Sequence, residues 1–489
     1  MITLLILIPL IGALGVALLP PRFARAFTFF CTLAGGIATL VLWSRFDPAQ
    51  GALQLVERRP WVPAIGAEYF IGIDGISLLL LLLTSIIIPF GLLATRGDRA
   101  FCALMLVLQS ALYGTFTAQN FILWFLFYEM SLVPAFLLIR NWGDENSARA
   151  ATKFFVFTFL GSAAMLLGFL AIYLHAGTFD FVKLAALGPA GILKGPLAWV
   201  VFIGICFGLA VKVPLFPLHT WLPDAYTSAP TGVSMVLTGV LSKMGVYGFA
   251  RLVLPLFPNE LRIAGPWLLG LAVCSIVLAS LAAWAQADLK RMVAYLSVNH
   301  LGYCMLGLFA AAMAGTSHSR EVDVNAALSG VFMQVFNHGI TAAALFYFAG
   351  LLEKRLARRG LDDFGGLMQR APVFCALMSV AMFSSLGLPG LNGFIGEFLI
   401  FKGAFTLAGA ASSVAALGLL FTAIAFLRAM QALFSGPLSE RTSAFAEVTP
   451  GEAAVAAPVF LLMLWIGLAP QFLLNIFNST VVHLSRLFV

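Results

Sequence analysis

Charged residues are the scarcest feature of this 489-residue sequence, since Asp, Glu, Lys and Arg together make up only 10% of it. A soluble domain has about 25% charged residues. Hydrophobic residues make up 61%, and the mean hydropathy is +1.00. Such a composition cannot cover a water-exposed surface, so it excludes an ordinary soluble enzyme. We predict a single polytopic membrane domain over residues 1–489.

The sequence also lacks the short motifs that hold cofactors. Its six cysteines stand alone in apolar runs with no CxxC, which excludes the usual spacing of iron–sulfur and structural zinc sites. No GxGxxG follows a strand-like run and no Walker-type Gly-Lys-Ser/Thr occurs, so nucleotide binding is not predicted. No two histidines have the HExxH spacing of a zinc site. We expect no metal site in this chain.

What the sequence does contain is a series of long apolar runs. A helix that crosses a bilayer needs about 20 mostly apolar residues. Such runs lie near 2–20, 26–44, 72–94, 101–118, 120–139, 153–174, 197–212, 231–256, 265–286, 291–313, 326–351, 373–405, 409–434 and 453–475. We predict an all-α membrane protein of about fourteen transmembrane helices. No basic stretch precedes the first run and no clear cleavage site follows it, so we expect a retained helix rather than a signal peptide.

The net charge of +7 comes from lysines and arginines scattered among short loops. This distribution is typical of membrane topology rather than of nucleic-acid binding. Across fourteen spans, 16 of these residues fall on one side of the membrane and 9 on the other. Because the side richer in Lys and Arg tends to be cytoplasmic, we predict that both termini lie on the non-cytoplasmic side.

Four ionisable residues lie deep within the apolar runs. They are Glu129 in FILWFLFYEMSLVPAFLLI, Lys212 in GICFGLAVKVPLFPLH, Lys243 in MVLTGVLSKMGVYGFA and Glu397 in LNGFIGEFLIFKGAF. A charge at the bilayer centre costs at least about 2.5–3.5 kcal/mol, so such residues face the bundle interior or a wet cavity. A Lys–Glu pair that only fixes helix packing is the plain alternative. A lysine whose carboxylate partner moves can instead take up and release a proton, which a permanently charged arginine cannot do.

Two histidines belong to the same set. His300 lies in MVAYLSVNHLGYCMLG and His338 in GVFMQVFNHGITAAAL, both within spans and both beside an asparagine. Histidine exchanges protons near neutral pH, which suits a relay. The alternative is a neutral histidine that donates to a backbone carbonyl. Taken together, the six residues indicate a path for protons or small cations.

Two of the predicted spans are interrupted, and each interruption has an ionisable residue beside it. Pro214 and Pro217 follow Lys212, and the segment SSLGLPGLNGFIGEF leads into Glu397. Proline removes a backbone donor, and freed backbone groups are tolerated in a membrane only where protein or water satisfies them. A simple proline kink is the alternative, but we expect a hydrated polar place at each break.

Broken helices at corresponding positions in two halves indicate inverted repeats with ion sites at the breaks. Glu129 precedes Lys212 by 83 residues and His300 precedes Glu397 by 97, with a longer loop near 313–326. We predict two inverted five-helix repeats, at residues 99–256 and 264–434. Helices one to three (1–98) precede them, and the last helix with a short tail (453–489) follows.

Five segments resemble a known family. They are YEMSLVPAFLLI (128–139), AVKVPLFPLHTWLPDAYTSAPTGVSMVLTGVLSKMGVYG (210–248), AYLSVNHLGYCMLG (294–307), FNHGITAAALF (336–346) and SSLGLPGLNGFIGEF (384–398). The chain resembles the antiporter-like subunits of proton-pumping NADH:quinone oxidoreductase, respiratory complex I, and their relatives in multisubunit cation/proton antiporters. The second segment is long enough to be highly specific.

The resemblance implies a role for each buried residue. Glu129 would tune Lys212 on the broken seventh helix, Lys243 would be the relay beyond it, His300 and His338 would continue the axis, and Glu397 would be the terminal exchange site. In the family pattern the M-type subunit has glutamate at this last position, whereas the L-type, N-type and antiporter D subunits have lysine. The chain also stops without the long lateral helix of the L-type. Both features favour the M-type.

The resemblance further implies partners and cofactors. Protons would be moved by redox chemistry in other subunits, which would use FMN, iron–sulfur clusters, NADH and quinone, while this chain binds no cofactor itself. Its partners would be the other membrane subunits, including the L-type and N-type, together with membrane lipids, in a bacterial inner membrane. Two alternatives stay open: a cation/proton antiporter subunit without a redox partner, and a passive spacer between pumping subunits.

Overall fold

A computed structural model describes residues 1–314 and 318–486, apart from the side chains of His318 and Glu440. In this part of the chain, twelve helices are long and apolar enough to cross a membrane. A shorter apolar helix at Ile2–Leu18 and an interrupted pair at Pro372–Ser385 and Asn392–Leu407 bring the number of spans to the predicted fourteen. The prediction of an all-α membrane protein with two broken helices is therefore confirmed.

The first half of the chain forms thirteen α-helical segments. They are α1 (Ile2–Leu18), α2 (Pro21–Arg45), α3 (Gly75–Ala94), α4 (Arg99–Thr117), α5 (Phe121–Met130), α6 (Leu132–Trp142), α7 (Ser147–Ala176), α8 (Phe181–Leu187), α9 (Gly195–Lys212), α10 (Trp221–Ser228), α11 (Thr231–Val236), α12 (Lys243–Gly248) and α13 (Leu254–Leu256). Two π-helical segments, Leu237–Leu241 and Phe249–Val253, join α11, α12 and α13 into one span.

The second half of the described chain adds ten more helices. They are α14 (Pro258–Trp284), α15 (Leu289–Ala312), α16 (Glu321–Leu356), α17 (Leu367–Arg370), α18 (Pro372–Ser385), α19 (Asn392–Leu407), α20 (Gly409–Phe434), α21 (Glu440–Ser443), α22 (Pro450–Leu468) and α23 (Gln471–Ser485). We expected a longer loop near 313–326, but the connection is shorter because α16 already begins at Glu321. Residues 315–317 of this connection lie outside the described chain.

Several helices begin at a polar side chain that accepts a hydrogen bond from the first turn. Asp74, Asp98 and Asp288 accept from the backbone N–H three residues on, at the starts of α3, α4 and α15. At the starts of α5 and α8, Asn120 accepts from the N–H two residues on, and Asp180 accepts from those two and three residues on. Such caps satisfy backbone donors that have no partner within the helix, so they define where each helix begins.

One predicted span differs in its internal structure. The run near 120–139 consists of α5 and α6, which are separated at Ser131, two residues after Glu129. Pro134 has no backbone N–H, so the carbonyl of Met130 loses its usual partner in the helix. The Ser131 hydroxyl donates to the Tyr128 carbonyl at 2.7 Å. The backbone is therefore irregular beside a buried carboxyl group.

A β-hairpin, absent from the predicted elements, covers one end of the bundle. Its antiparallel strands are β1 (Gln54–Val62) and β2 (Ala67–Ile73). The N-terminal amine and the Thr3 hydroxyl both donate to Glu57 on β1, which ties the start of α1 to this hairpin. We call this end of the bundle the hairpin face.

The C-terminal segment returns to the hairpin face. The predicted run near 453–475 is divided between α22 and α23, so the region after the last span is a second helix rather than a short tail. The backbone N–H of Gly75 donates to the Thr480 hydroxyl on α23 at 3.0 Å. Both described ends of the chain therefore lie at the same end of the bundle.

The opposite end, which we call the basic face, is tied together by ion pairs. Lys290 pairs with Glu353 at 2.5 Å, and Arg359 contacts Asp144 and Asp288 at 3.1 Å each. These pairs join the starts of α7 and α15 to the end of α16. Lys290 and Arg359, which the predicted topology assigned to the richer side, therefore lie at one face.

Small residues let the helices approach closely. A Cβ atom added to Gly232 on α11 would lie 1.9 Å from the carbonyl oxygen of Gly91 on α3. Likewise, a Cβ atom on Gly208 of α9 would lie 2.4 Å from the carbonyl oxygen of Gly161 on α7. Close backbone contact of this kind is how helices associate in lipid, where the hydrophobic effect does not drive them together.

Replacing Gly232 with leucine should destabilise the bundle, because the new side chain meets backbone that cannot move aside. Overpacking costs about 1–3 kcal/mol or more. The expected result is a lower melting temperature and less assembled protein, measured by fluorescence-detected gel filtration after heating. Gly270→Leu is the matched control, since a Cβ atom there meets nothing within 4 Å. Equal melting temperatures for the two variants would contradict this packing.

Candidate functional site

The first break lies between α9 and α10, and its backbone groups are satisfied by protein. Pro214 and Pro217 prevent the helix from continuing past Lys212. The Trp221 indole donates to the Val211 carbonyl at 2.9 Å, and the Phe216 N–H donates to the Ser275 hydroxyl at 2.8 Å. An irregular backbone can persist at membrane depth only with partners of this kind.

Lys212 stands at the end of α9, next to this break. Its side chain is buried, and Nζ lies 4.8 Å from the centre of the Tyr128 ring. Its charge interacts with that of Glu129, which in turn interacts with Ser162. Glu129 itself is only half-buried on the surface of this chain. The pair that the sequence predicted, Glu129 with Lys212, is therefore brought together.

Lys243 lies in the span built from α11, α12 and α13, two residues after the end of the π-helical segment Leu237–Leu241. Its Nζ donates to the Thr238 carbonyl of that segment at 2.5 Å. A π-helical turn leaves the regular backbone pattern and is frequent at functional sites. Here it offers a carbonyl oxygen to a fully buried ammonium group.

A glycine holds this span against the first break. A Cβ atom on Gly245 would lie 2.4 Å from the Val213 Cγ2 atom and 2.8 Å from its backbone nitrogen. Gly245 is two residues from Lys243, and Val213 follows Lys212 directly. The two lysines thus lie on neighbouring backbone segments, although no hydrogen bond joins them within the described chain.

Lys243 is joined to both histidines. Its Nζ lies 2.7 Å from His338 Nδ1, and the rings of His338 and His300 are 5.2 Å apart between centroids. The other ring nitrogen of His338, Nε2, is buried and has no hydrogen-bond partner among the described residues. The order along the chain of contacts is Lys243, His338, His300, which places His338 before His300.

His300 continues the chain of contacts to Glu397. Its Nδ1 lies 3.0 Å from Glu397 Oε1, and its Nε2 lies 2.9 Å from the Ser385 hydroxyl. With an ionised Glu397, Nδ1 donates to the carboxylate and Nε2 accepts from the serine. Gln334 also donates to Glu397 Oε1, at 3.1 Å. His300 therefore links His338 to Glu397.

Glu397 lies in the second turn of α19, and its carboxyl group adjoins the second break, between α18 and α19. Gly387 in this break has φ +71°, and a Cβ atom on it would lie 2.7 Å from Glu397 Oε2. Only glycine therefore fits beside the carboxyl group without displacing it. Asn392 at the start of α19 accepts from Ser384 at 2.5 Å, and the Asn337 amide donates to the Asn392 carbonyl at 2.6 Å.

The polar residues around the second break were not predicted from the sequence. They are Gln334, Asn337, Thr341, Ser384, Ser385 and Asn392. Gln334 could have been predicted from its spacing, because it lies one helical turn before His338 in an otherwise apolar segment. The others are small polar residues of a kind that is common in any membrane helix.

The site therefore has two parts. Lys243, His338, His300 and Glu397 form a continuous buried row, and Glu129 with Lys212 forms a pair beside it. Each residue can gain or lose a proton, and successive members of the row lie within hydrogen-bond or ring-contact distance. Among the described residues, no three His, Cys, Asp or Glu side chains are placed to hold a metal ion. The arrangement is suited to proton transfer within a membrane.

Residues 118–424, which include both breaks and the whole row, match the family described as NADH:quinone oxidoreductase/Mrp antiporter, transmembrane. The chain belongs to this family of ion-translocating membrane subunits. Its relatives include NADH-quinone oxidoreductase subunit M of Rickettsia conorii, which is 37% identical over 92% of this chain and 89% of the relative. The F(420)H(2) dehydrogenase subunit M of Methanosarcina mazei is 36% identical, over 96% of this chain and 94% of that one.

Solved structures agree with this assignment. A chain in the structure of respiratory complex I from Thermus thermophilus with bound NADH superposes with a TM-score of 0.90 at 29% identity, covering 100% of both chains. A chain of the Mrp complex from Dietzia sp. DQ12-45-1b has a TM-score of 0.85 at 20% identity, covering 100% of this chain and 99% of that one. The second similarity concerns the fold alone.

One ion-pair cluster on the basic face positions the second half of the first broken helix. Asp224 on α10 accepts from Lys153 at 2.7 Å and from Arg291 at 2.9 Å. Burial acts to raise the pKa of the Asp224 carboxyl, but the two cations outweigh it and hold the pKa below its usual value of 3.8. This carboxylate therefore anchors α10 to α7 and α15.

Asp224→Asn should lower the melting temperature at neutral pH, because the neutral amide loses both ion pairs. Because the pKa of Asp224 in the folded protein lies below 3.8, its ion pairs stabilise the fold fully at pH values above 3.8. This stabilisation is lost as the pH falls through the folded-state pKa. The difference in melting temperature between the original protein and the variant should thus be constant at neutral pH and narrow below pH 3.8. Asp362→Asn, at an exposed position, is the control; a difference for Asp224→Asn that does not narrow would contradict the assignment.

Proposed function

We propose that this chain is a proton-translocating membrane subunit of a quinone-reducing complex of the NADH-quinone oxidoreductase type. The observation that carries the proposal is the buried row from Lys243 to Glu397, whose hydrogen-bonded steps are 2.7 Å and 3.0 Å. The names of its relatives and the similarity to complex I supply the context. The translocation roles of Glu129, Lys212, Lys243, His300, His338 and Glu397 are part of this proposal.

The Glu129–Lys212 pair is proposed as the driven element. Glu129 is half-buried on the surface of this chain, so a neighbouring subunit can reach it and change its distance from Lys212. Losing the carboxylate partner makes the buried ammonium less stable and favours release of its proton. Arginine at this position would not release a proton, which accounts for the use of lysine.

The proton that Lys212 releases then passes to Lys243 on the neighbouring segment, and from there through His338 and His300 to Glu397. His338 accepts at Nδ1, where it faces Lys243, and its unpartnered Nε2 is available for the next transfer. The 5.2 Å between the histidine rings is a distance that one water molecule or a ring rotation can bridge. Each proton moved against 100 mV requires about 2.3 kcal/mol, which the redox chemistry elsewhere in the complex must supply.

This role assigns redox cofactors to other subunits. FMN, iron–sulfur clusters, NADH and quinone would bind elsewhere in the complex, and the expected neighbours are the L-type and N-type antiporter-like subunits and membrane lipids. Relatives of similar identity are named for NADH and for F(420)H(2). The electron donor is therefore not determined by this chain, which agrees with a subunit that moves protons and carries no redox centre.

The proposed orientation places the hairpin face, with both ends of the described chain, on the non-cytoplasmic side of a bacterial inner membrane. The richer share of lysine and arginine at the basic face supports this, because positive residues favour the cytoplasmic side. The proposal also includes the two inverted repeats, at 99–256 and 264–434, since each contains one broken helix with an ionisable residue at the break.

A second candidate is a cation/proton antiporter subunit without a redox partner. The similar fold in the Mrp complex favours it, although that chain is only 20% identical. Purification in mild detergent separates the two candidates. Copurifying flavin and iron–sulfur subunits support the redox-driven complex, whereas cation/proton exchange by a complex that contains neither supports the antiporter.

Lys212→Ala and Glu129→Ala should each reduce proton pumping about tenfold or more, because the pair that responds to the neighbouring subunit is lost. Pumping is measured as dye quenching in everted vesicles, together with the rate of quinone reduction. Lys402→Ala is the matched control, since Lys402 is an exposed lysine near the end of α19. Unchanged pumping and quinone reduction in both variants would contradict the proposed role and favour a passive spacer.

Lys243→Met and His338→Leu should reduce pumping to the same extent, since the two residues are consecutive members of one row. The double variant should be no worse than either single variant, because removing two members of one series blocks one path once. The measurement is again the ratio of protons pumped to quinone reduced. Additive losses would show that the two residues act on separate paths.

A further inference from the structure

His300 contacts both halves of the second broken helix. Its Nδ1 lies 3.0 Å from Glu397 Oε1 on α19, and its Nε2 lies 2.9 Å from the hydroxyl of Ser385, the last residue of α18. All three side chains are buried. The position of α18 relative to α19 therefore decides whether both ring nitrogens have a partner at the same time.

Asn392, the first residue of α19, joins the two halves to each other. Its Oδ1 accepts from the hydroxyl of Ser384, which precedes Ser385 at the end of α18, at 2.5 Å. The hydroxyl of Thr341 on α16 also donates to this oxygen, at 3.3 Å. A Cβ atom on Gly393 would lie 1.8 Å from the Ser384 carbonyl oxygen, so the two halves meet here with no side chain between them.

A reciprocal pair of hydrogen bonds fixes Asn392 to α16. The Asn337 amide donates to the Asn392 carbonyl at 2.6 Å, and the Asn392 amide donates to the Asn337 carbonyl at 3.2 Å. Both asparagines are fully buried, where a polar group without a partner is costly. Asn337 directly precedes His338. Asn392 therefore contacts the three helices that carry Ser385, Glu397 and His338.

From these contacts we infer that the second break holds His300 for proton transfer, and that Ser385 and Asn392 are two further residues on which this transfer depends. Ser385 touches the reacting ring at Nε2. Asn392 does not touch it and is a positioning residue, because it fixes Ser385 and Glu397 at the separation that His300 spans. The inference rests on the proposed function, since it requires His300 to pass a proton to Glu397.

The chemistry of the two partners determines which nitrogen carries the proton. A neutral imidazole has one N–H, and the hydrogen bond at the other nitrogen decides where it stands. The Ser385 hydroxyl is able to donate to Nε2, whereas an ionised Glu397 only accepts. Together they select the ring with its proton on Nδ1, 3.0 Å from the carboxylate oxygen.

The same contacts hold the ring during the transfer. When the proton from His338 arrives, His300 becomes an imidazolium with a proton on each nitrogen, and the Ser385 hydroxyl turns to accept from Nε2. The Nδ1–H bond then breaks as the Oε1–H bond forms. Glu397 changes from carboxylate to carboxylic acid, and His300 returns to the neutral state. A hydroxyl is both a donor and an acceptor, so it partners Nε2 before and after this step.

Two buried residues outside the break provide matched controls. Asn299 is fully buried, like Asn392, and its amide donates to a carbonyl of another helix, that of Ile276, at 2.8 Å. Ser280 is fully buried on α14, and its hydroxyl donates to a carbonyl of its own helix at 2.9 Å. In the described part of the chain, neither has a hydrogen bond to α18 or α19.

The test measures the rate of proton pumping per assembled complex, by dye quenching in everted vesicles with the amount of complex quantified. Asn392→Ala should lower this rate about tenfold relative to Asn299→Ala, and Ser385→Ala should lower it about as much relative to Ser280→Ala. Ser385→Thr, which keeps the hydroxyl, should pump faster than Ser385→Ala. Equal pumping within each matched pair, even with less assembled complex, would show a structural role and overturn the inference.

A second pair of variants separates the hydrogen bond from the shape of the side chain, and it remains informative if Asn392→Ala does not assemble. Thr341→Val removes the hydroxyl that contacts Asn392 and Ser384 but keeps the shape. Thr341→Ser keeps the hydroxyl and removes a methyl group. We expect Thr341→Val to pump more slowly per assembled complex than Thr341→Ser. The same rate in both, or the reverse order, would contradict the positioning role.

A further variant distinguishes a failure of this inference from a failure of the proposed function. Normal pumping in His300→Leu would refute the proposed function, because the row would then not carry protons. Loss of pumping in His300→Leu together with normal pumping in Ser385→Ala and Asn392→Ala would refute only this inference.

Discussion

Hydrogen-bonding groups of the backbone must find partners inside the membrane, and this requirement governs where the chain departs from a regular helix. The prolines after Lys212 and the glycines before Glu397 leave carbonyl and amide groups without helical partners. Trp221 and Ser275 supply partners at the first break, and Asn337 donates to the Asn392 carbonyl at the second. Each break is therefore a polar place surrounded by apolar helices, where an ionisable side chain can also be accommodated.

The buried charges depend on the same requirement. The ammonium of Lys243 donates to a carbonyl oxygen of the π-helical segment and lies within hydrogen-bond distance of His338. Glu397 accepts from His300 and Gln334 beside a glycine that leaves room for it. A charge held in this way is stable enough to remain in the membrane, yet its partners are themselves able to exchange protons. The contacts that stabilise these buried charges are therefore the same ones to which the proposed function assigns proton transfer.

Some parts of the molecule followed directly from the pattern of residues. Long apolar runs can only be helices in a bilayer, so the number of spans and the two broken helices were predictable, with the region at 409–434 placed to the residue. Residues 54–73 were not predicted to form a hairpin, because a short polar segment outside the membrane is under no such constraint. The division at Ser131 and the separate helix at Gln471–Ser485 were also missed. In both places the composition of the apolar run does not change where the helix ends or a new one begins.

The sequence by itself determined that six ionisable residues lie within the apolar spans, where charged and polar side chains are too costly to be accidental. It also identified the family through the segments around them. Only the tertiary structure decided their order, with His338 between Lys243 and His300, and brought Asp74 to Arg251 across 177 residues of chain. Spacing along the sequence reports which face of one helix a residue occupies, whereas a contact between helices depends on how close their backbones come. At Gly245 and Gly232 that distance is set by the absence of a side chain.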